Sequence, residues 1–523
     1  MDAGTRNEGG EGIWWLAAAG AVAVLCVPFF LVDAPPVLDY PNHLARLYIL
    51  AYGAADPALA AMYAAHWSII PNLVLDIVGP PLMHVVPVSV AGRILLALSA
   101  LLPVGGVVLY HRAVFGGRSL WPLAASLVAF NGIFFLGFMN FLFGVGAAFA
   151  VAALWIRLSD RRPFVAVVAT MLGVVVVFFC HLMAVLLFAL LVGAHELAAL
   201  AALRAEPARL VRRAVVRGLL LAVVLAPAAV LYLQSPLSGV SGGLLWETLP
   251  RKIGHVLTPF LTYDLGVTLA TAVAVIAIVA LVWRRSRVDA GSAVAFAILA
   301  AVYVVAPRHM KSGAVIDARL PVMMAFLVFG GICPAVSRRA ALALAAAVGV
   351  VLVARTATIA VAWADHRRDL AELRAAYAPV EPGAKVLVLS AAEAAGDAYR
   401  EAEPAERFVP TLYRTDEHMP GLMLIERHAF WPQLFADPQQ QPVAVLPAYA
   451  PFANPLGEPP DYRVIATDSL PAVPLAPYLS RWAEFDYVLL LDAGAVDAAA
   501  FRPDRLDLVV TTGMAALYRV RRP

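Results

Sequence analysis

The sequence predicts a mainly α-helical protein that crosses a membrane many times and ends in a soluble α/β domain. Of its 523 residues, 62% are hydrophobic and only 14% are charged, whereas a soluble domain carries roughly a quarter charged residues. Eleven apolar stretches approach the length of about 20 residues that a membrane-spanning helix needs. After residue 361 the composition becomes that of a soluble protein.

The predicted spans have soft boundaries, and they are residues 13–32, 92–111, 119–138, 140–157, 163–181, 182–201, 214–233, 265–283, 290–306, 319–337 and 340–361. Residues 69–88 are also apolar, but they contain Asp76, Pro80, Pro81 and Pro87. A backbone broken by proline must be buried in protein or lie at the interface, so we interpret this segment as a re-entrant or interfacial helix pair. Whether it crosses the membrane is left open by the sequence.

The arginines predict the orientation of the chain. Every arginine cluster falls in a loop after an even-numbered span, and such clusters mark the cytoplasmic side. The N-terminus is then cytoplasmic. Three outer loops (33–91, 234–264 and 307–318) and the soluble domain face outward. We therefore divide the chain into a membrane module, 1–361, and an extracytoplasmic α/β domain, 362–523.

In the soluble domain, short apolar runs at 385–390 and 487–492 predict buried strands, and 506–510 with 515–520 predicts a closing strand pair. The segment 418–428 has two histidines and a glutamate without the spacing of a metal site. We interpret it as a solvated helix with one apolar face.

The stretch 38–50, L-D-Y-P-N-H-L-A-R-L-Y-I-L, follows the first span and predicts a helix at the lipid–water boundary. Spacings of four and three bring Asp39, His43 and Arg46 to one helical face. We interpret Asp39 and His43 as catalytic residues, with Asp39 as the carboxylate and His43 orienting either that carboxylate or the acceptor. Capping of the helix by Asp39, just before Pro41, explains its position equally well.

Further ionisable residues gather on the predicted outer side. A carboxylate with a ring of cations at the outer leaflet suits a lipid phosphate, because the cations hold phosphate oxygens and the carboxylate takes a proton or binds a divalent cation. Taken singly, Arg308 and Lys311 are better explained as headgroup anchors, and Arg46 is also explained as a snorkelling or solvated side chain. The candidate substrate-binding residues are Arg46, His66, Lys252, His255, Arg308, His309, Lys311, Asp317 and Arg319.

Several function classes find no support in the sequence. The net charge of +3 is not gathered in a long basic block, so nucleic-acid binding is not expected. The three cysteines all lie in apolar segments and predict neither disulfides nor a metal cluster. The phosphate-binding loops and hydrolase motifs of soluble enzymes are also missing from the sequence.

The layout resembles the GT-C superfamily of membrane glycosyltransferases, such as protein O-mannosyltransferases and aminoarabinose transferases, and uncharacterised bacterial proteins with a D-Y-P-N-H-type first loop. The resemblance rests on Asp39 and its neighbours in L-D-Y-P-N-H-L-A-R, the long first outer loop, about eleven spans and the outer C-terminal domain. Unlike many of these enzymes, this chain has Tyr40 after Asp39 in place of a paired Asp-Glu.

The resemblance implies an enzyme of the bacterial inner membrane with a periplasmic C-terminal domain. It would move a sugar, with inversion, from a polyprenyl-phosphate donor to a glycan, lipid or protein acceptor. Asp39 would be the base or a metal ligand, and a divalent cation, Mg²⁺ or Mn²⁺, is left open as a cofactor. The alternatives are a catalytically inactive GT-C-like scaffold whose outer domain binds a partner, and a lipid or solute transporter.

Overall fold

The computed structural model describes residues 5–311, 313–392, 407–409, 414–466 and 476–522. In this part of the chain, eight helices are long and apolar enough to cross a membrane, and they are α1 with the turn after it, α5, α7, α8, α9, α10, α12 and α15. The α-helices are α1 (Thr5–Cys26), α2 (Tyr40–Tyr52), α3 (Pro57–Met62), α4 (Val74–Met83), α5 (Val88–Phe115), α6 (Gly132–Phe135), α7 (Met139–Leu158), α8 (Pro163–Cys180), α9 (Leu182–Ala201), α10 (Pro207–Gln234), α11 (Leu249–Gly254), α12 (Leu265–Trp283), α13 (Ala290–Val305), α14 (Ile316–Gly331), α15 (Arg338–Tyr377) and α16 (Gly421–Arg427).

Three of the apolar helices are shorter. Helices α13 and α14 have 16 residues each, and they match the predicted spans 290–306 and 319–337 in position. The segment 69–88 contains one helix, α4, of ten residues with Pro80 and Pro81 inside it, in place of the predicted pair. At a rise of about 1.5 Å per residue, α4 is about half as long as the hydrocarbon layer is thick.

The predicted span 119–138 differs most from the expectation, because it is not one helix. It forms a 3₁₀ segment over Trp121–Val128 and then the four-residue helix α6. The Asn131 side chain accepts a hydrogen bond from the Phe134 amide and so starts a new helix. Gly137 then ends it in the left-handed conformation, with φ +81°. The segment is buried, so its broken backbone is satisfied by protein.

Arg355 of α15 holds the broken segment in place. Its buried guanidinium donates to the carbonyl of Phe130 and, at 2.9 Å, to the carbonyl of Leu261. It also donates to the Phe260 carbonyl. An arginine at membrane depth is expensive unless its donors are satisfied. Its contacts with carbonyls from two irregular segments therefore join those segments to the longest helix.

The soluble domain is built on a four-stranded sheet in the order β6–β8–β10–β9. Strands β6 and β8 are parallel, with Val386 opposite Tyr487, and the other neighbours are antiparallel. The four predicted strand regions are confirmed. The strands are β1 (Tyr63–Ala65), β2 (Leu244–Leu245), β3 (Ser286–Val288), β4 (His309–Met310), β5 (Ile332–Pro334), β6 (Val386–Ser390), β7 (Val443–Val445), β8 (Tyr487–Leu491), β9 (Leu506–Thr511) and β10 (Ala515–Val520).

A strand pair and a continuous helix are among the connections between the soluble domain and the membrane module. Strand β1 of the first outer loop pairs with β7, with Tyr63 opposite Val445. Helix α15 continues beyond residue 361 to Tyr377 and enters the soluble domain without a break. Helix α2, which begins after Asp39, packs against α16 of the soluble domain.

Candidate functional site

Asp39 stands at the N-cap position of α2, yet its side chain makes no capping hydrogen bond. Its backbone is fixed instead, because the Asp39 amide donates to the Leu136 carbonyl at 3.2 Å. The carboxylate is 11% exposed, and its Oδ1 lies 3.1 Å from Nδ1 of His418. The capping alternative is therefore not what the structure shows, and the carboxylate keeps a small exposed area.

Gly137 of the broken segment forms the floor beneath Asp39. A Cβ at this position would lie 2.8 Å from both the backbone nitrogen and the Cβ of Asp39. The positive φ of Gly137 also favours glycine. The segment predicted as a membrane span thus positions Asp39 through direct backbone contact.

Arg319 supplies the positive charge of the site, and His181 lies beside it. Nη1 of Arg319 lies 2.8 Å from Nε2 of His181, and its Nη2 donates to the Ala314 carbonyl at 2.8 Å. The guanidinium stacks over the Phe138 ring, with its central carbon 4.5 Å from the ring centroid. Arg319 is also close enough to Asp39 for their charges to interact.

The ring of His181 is held on both sides. The Met183 amide lies 3.0 Å from Nδ1, and an N–H of Arg319 points at Nε2 from 2.8 Å. Because an arginine can only donate, this N–H is directed at the histidine. The guanidinium is therefore the group of this pair that brings a positive charge to the site.

His43 lies one turn after Asp39, but it faces the soluble domain. Its ring meets Phe435 edge to face, with the centroids 5.6 Å apart. Burial, the nearby Arg46 charge and His418 hold the pKa of His43 well below its ordinary range, so its ring is neutral. Within the described part of the chain, no hydrogen bond joins His43 to the Asp39 carboxylate, and the predicted orienting contact is not formed.

Arg46 is placed differently from the prediction that it binds substrate. Its Nε and Nη2 donate to the two carboxylate oxygens of Asp76 at 2.7 and 3.0 Å. Both side chains are buried, with exposures of 1% and 0%. The guanidinium is thus engaged in a closed ion pair that packs α2 against α4.

The other predicted residues form a second group beside α14. His255 contacts Asp317 at 3.2 Å, and Lys252 donates to the Ala306 carbonyl at 2.7 Å. Arg308 pairs with Glu247 at 3.4 Å. Lys311 lies 3.4 Å from the Tyr232 hydroxyl, and His309 belongs to the short pair β2–β4. Arg319 lies two residues after Asp317 on α14 and so connects this group with the site around Asp39.

His66 lies apart from both groups. Its side chain is exposed, and its amide donates to the Pro442 carbonyl beside the pair β1–β7.

His418 is the residue that sequence reasoning missed. The segment 418–428 was interpreted as solvated, whereas His418 is only 5% exposed and faces Asp39 across 3.1 Å. No pattern within the segment signals this contact, because its partner lies in a distant part of the chain. Among the described residues, no three His, Cys, Asp or Glu side chains converge as metal ligands.

No family model matches the chain, and no curated protein sequence matches it. Its structure is similar to the crystal structure of ArnT from Cupriavidus metallidurans bound to undecaprenyl phosphate. The two have 12% sequence identity and a TM-score of 0.52, and the match covers 97% of this chain and 98% of ArnT. The chain therefore has a GT-C-like fold, as its resemblance to that superfamily predicted.

Proposed function

We propose that the protein is a membrane glycosyltransferase that moves a sugar from a polyprenyl-phosphate donor to an extracytoplasmic acceptor. The observation that carries the proposal is the partly exposed carboxylate of Asp39, whose charge interacts with that of the buried Arg319 guanidinium. The whole-chain similarity to ArnT, which was solved with undecaprenyl phosphate, supports the donor class.

The proposed reaction is an inverting displacement. The acceptor hydroxyl attacks the anomeric carbon, the bond from that carbon to the phosphate oxygen breaks, and the hydroxyl proton passes to Asp39. Arg319 would hold the phosphate oxygens as negative charge develops on them. Arg308 and Lys311 were predicted to share this role, but their contacts with Glu247 and Tyr232 favour Arg319.

The proposed location is the outer side of the bacterial cytoplasmic membrane. Helix α7 begins beside Gly137 and ends at Leu158, next to Arg157. Its 20 residues span about 30 Å, the thickness of the hydrocarbon layer. A helix of this length would place its arginine-rich end and the candidate site at opposite membrane faces, which supports the proposal of a cytoplasmic N-terminus and a periplasmic soluble domain.

The test compares polyprenyl-linked lipids and envelope glycans by mass spectrometry in wild type, a deletion strain and a strain carrying Asp39→Asn. We expect Asp39→Asn and the deletion to accumulate the same lipid-linked sugar and to lose the same glycan. The loss of a general base slows transfer by about 100- to 10,000-fold. Asp33→Asn is the matched control, because Asp33 lies in the same loop and pairs with Arg374 at 2.7 Å.

Wild-type glycans in the Asp39→Asn strain would exclude Asp39 as the base. Unchanged glycans in the deletion strain would favour the scaffold alternative, and lipid transport without sugar transfer would favour the transporter. Transfer by membranes with and without EDTA tests whether Asp39 acts as a base alone or also needs Mg²⁺ or Mn²⁺.

A further inference from the structure

We infer that His418 is a positioning residue for Asp39, so that the soluble domain supplies part of the active site. This inference rests on the proposed function. His418 contributes by fixing one oxygen of the Asp39 carboxylate, which leaves the other oxygen to take the proton of the attacking hydroxyl.

The environment of His418 holds its ring against Asp39. The ring meets Trp431 and Phe435 edge to face, with centroid distances of 5.8 and 5.4 Å. Its Nδ1 is buried and has no aligned hydrogen-bond partner among the described residues. The nearest carboxylate oxygen is Oδ1 of Asp39, at 3.1 Å. Nδ1 of His418 is therefore available to interact with the Asp39 carboxylate.

The loop that carries Phe435 is anchored on α2 by a reciprocal pair of hydrogen bonds. Nδ2 of Asn42 donates to the Gln433 carbonyl at 2.9 Å, and the Phe435 amide donates to Oδ1 of Asn42 at 2.7 Å. Asn42 is fully buried and lies three positions after Asp39. These hydrogen bonds fix the position of the soluble domain relative to the first turn of α2, which begins at Asp39. The fold therefore keeps His418 close to Asp39.

The chemistry requires no proton to pass through His418. When a bond forms between the acceptor oxygen and the anomeric carbon, the hydroxyl proton ends on Asp39 and the sugar–phosphate bond breaks. An N–H group facing Oδ1 stabilises the ionised carboxylate and fixes its rotation, as partners of catalytic ligands do elsewhere. Without it, the Asp39 side chain is free to turn about its own bonds.

A second histidine–aspartate pair joins the same two parts of the protein and supplies a matched control. Nδ1 of His428 lies 2.8 Å from Oδ2 of Asp56, which caps α3 in the first outer loop. This pair is more exposed, at 31% and 23%. It connects the soluble domain to the loop as the pair of His418 and Asp39 does, but it does not involve the Asp39 carboxylate.

The experiment uses full-length protein in lipid nanodiscs and the lipid-linked sugar that the deletion strain accumulates. We expect His418→Ala to lower kcat by about 10- to 100-fold, the usual cost of losing such a partner, with KM for the lipid changed less than about twofold. His418→Asn, whose amide reaches the place of Nδ1, should recover most of the rate. His428→Ala should keep kcat within about threefold of wild type. Asp39→Asn combined with His418→Ala should be no slower than Asp39→Asn alone, because the two act as a unit.

Three results would overturn the inference: wild-type kcat in His418→Ala, an equal loss in His428→Ala, or independent, multiplying losses in the double variant. The stability of each variant, measured by thermal unfolding, separates a positioning effect from a folding defect, and His418→Asn serves if His418→Ala does not fold. A wild-type protein that transfers no sugar would instead refute the proposed function, and the positioning role with it.

Discussion

Asp39 and Asp76 are two carboxylates of the same outer loop, and they differ in how completely they are paired. Both oxygens of Asp76 accept hydrogen bonds from Arg46, and its side chain has no exposure. Asp39 faces a histidine with one oxygen, receives no hydrogen bond on its carboxylate from the described residues, and keeps 11% exposure. A fully paired buried charge serves packing, whereas a partly paired one is available for chemistry.

The largest expected effect on stability comes from breaking the buried ion pair of Arg46 and Asp76. Asp76→Ala leaves Arg46 buried without its partner, so we expect the free energy of unfolding to fall by about 3–5 kcal/mol. Denaturant unfolding in detergent measures this loss. Asp39→Ala is the comparison and should cost less than about 1 kcal/mol, since its carboxylate is only partly paired. Equal losses in the two variants would remove the distinction between them.

Replacing both partners of the closed pair refines this test. Arg46→Met combined with Asp76→Leu substitutes apolar side chains for the two charges. Such exchanges of buried ion pairs are often neutral or stabilising. We expect the double variant to recover most of the stability that Asp76→Ala loses, and continued instability would point to a packing role beyond the charges.

The next largest effect is expected on lipid affinity when Arg319 is replaced. Arg319→Met removes a charged donor from the place proposed for the phosphate, so affinity for polyprenyl phosphate should fall by about 10- to 100-fold, the worth of a hydrogen bond to a charged group. Native mass spectrometry or a lipid-binding titration measures it. Arg308→Met is the matched control, because Arg308 contacts Glu247. A larger loss with Arg308→Met would move the phosphate to the second group of residues.

The smallest effect concerns Glu417, a third carboxyl group, whose Oε2 is buried and has no partner among the described residues. Burial, with the nearby charges of Glu458 and Asp416, raises the pKa of Glu417 to about 8. From the ordinary value of 4.5 up to about 8, the unfolded chain releases a proton that the folded protein keeps. The protonated Glu417 carboxyl therefore makes its full contribution to the free energy of unfolding below pH 4.5. This contribution is lost as the pH rises from 4.5 to about 8.

Glu417→Gln should remove this pH dependence. One unit of pKa shift corresponds to about 1.4 kcal/mol; because the carboxyl keeps some access to solvent, we expect a gain of about 1 kcal/mol at pH 8 and little change at pH 4. Thermal unfolding at both pH values measures the difference. A variant that is equally stabilised at both would show that the effect is not ionisation.

The sequence predicted the parts of the fold that depend on local pattern. The apolar runs of β6 and β8, the strand pair β9–β10 and the helix after Asp39 all follow from short-range periodicity and turn residues. The broken segment at 119–138 was not predicted, because hydropathy measures only the length of an apolar stretch. It does not show that Asn131 and Gly137 interrupt the helix.

Within the candidate site, the site residues named from the sequence lie near Asp39 in sequence or on a recognisable outer loop. The pairing of Arg46 was not foreseen because its partner, Asp76, lies on another helix. His418 was missed because its contact with Asp39 joins parts of the chain separated by most of its length. Pairing across such distances is decided by tertiary packing, which a single sequence does not display.

Helix α15 determines how the soluble domain is turned about the helix axis relative to the membrane module. Its 40 residues span about 60 Å, roughly twice the hydrocarbon thickness. Arg355 fixes the membrane part of this helix to the floor of the site, and Asp369 binds Arg407 of the soluble domain at 2.6 and 2.9 Å. Each residue between those two anchors turns the helix by about 100°. The number of residues in this stretch, and not only their identity, therefore fixes the direction from which the soluble domain meets Asp39.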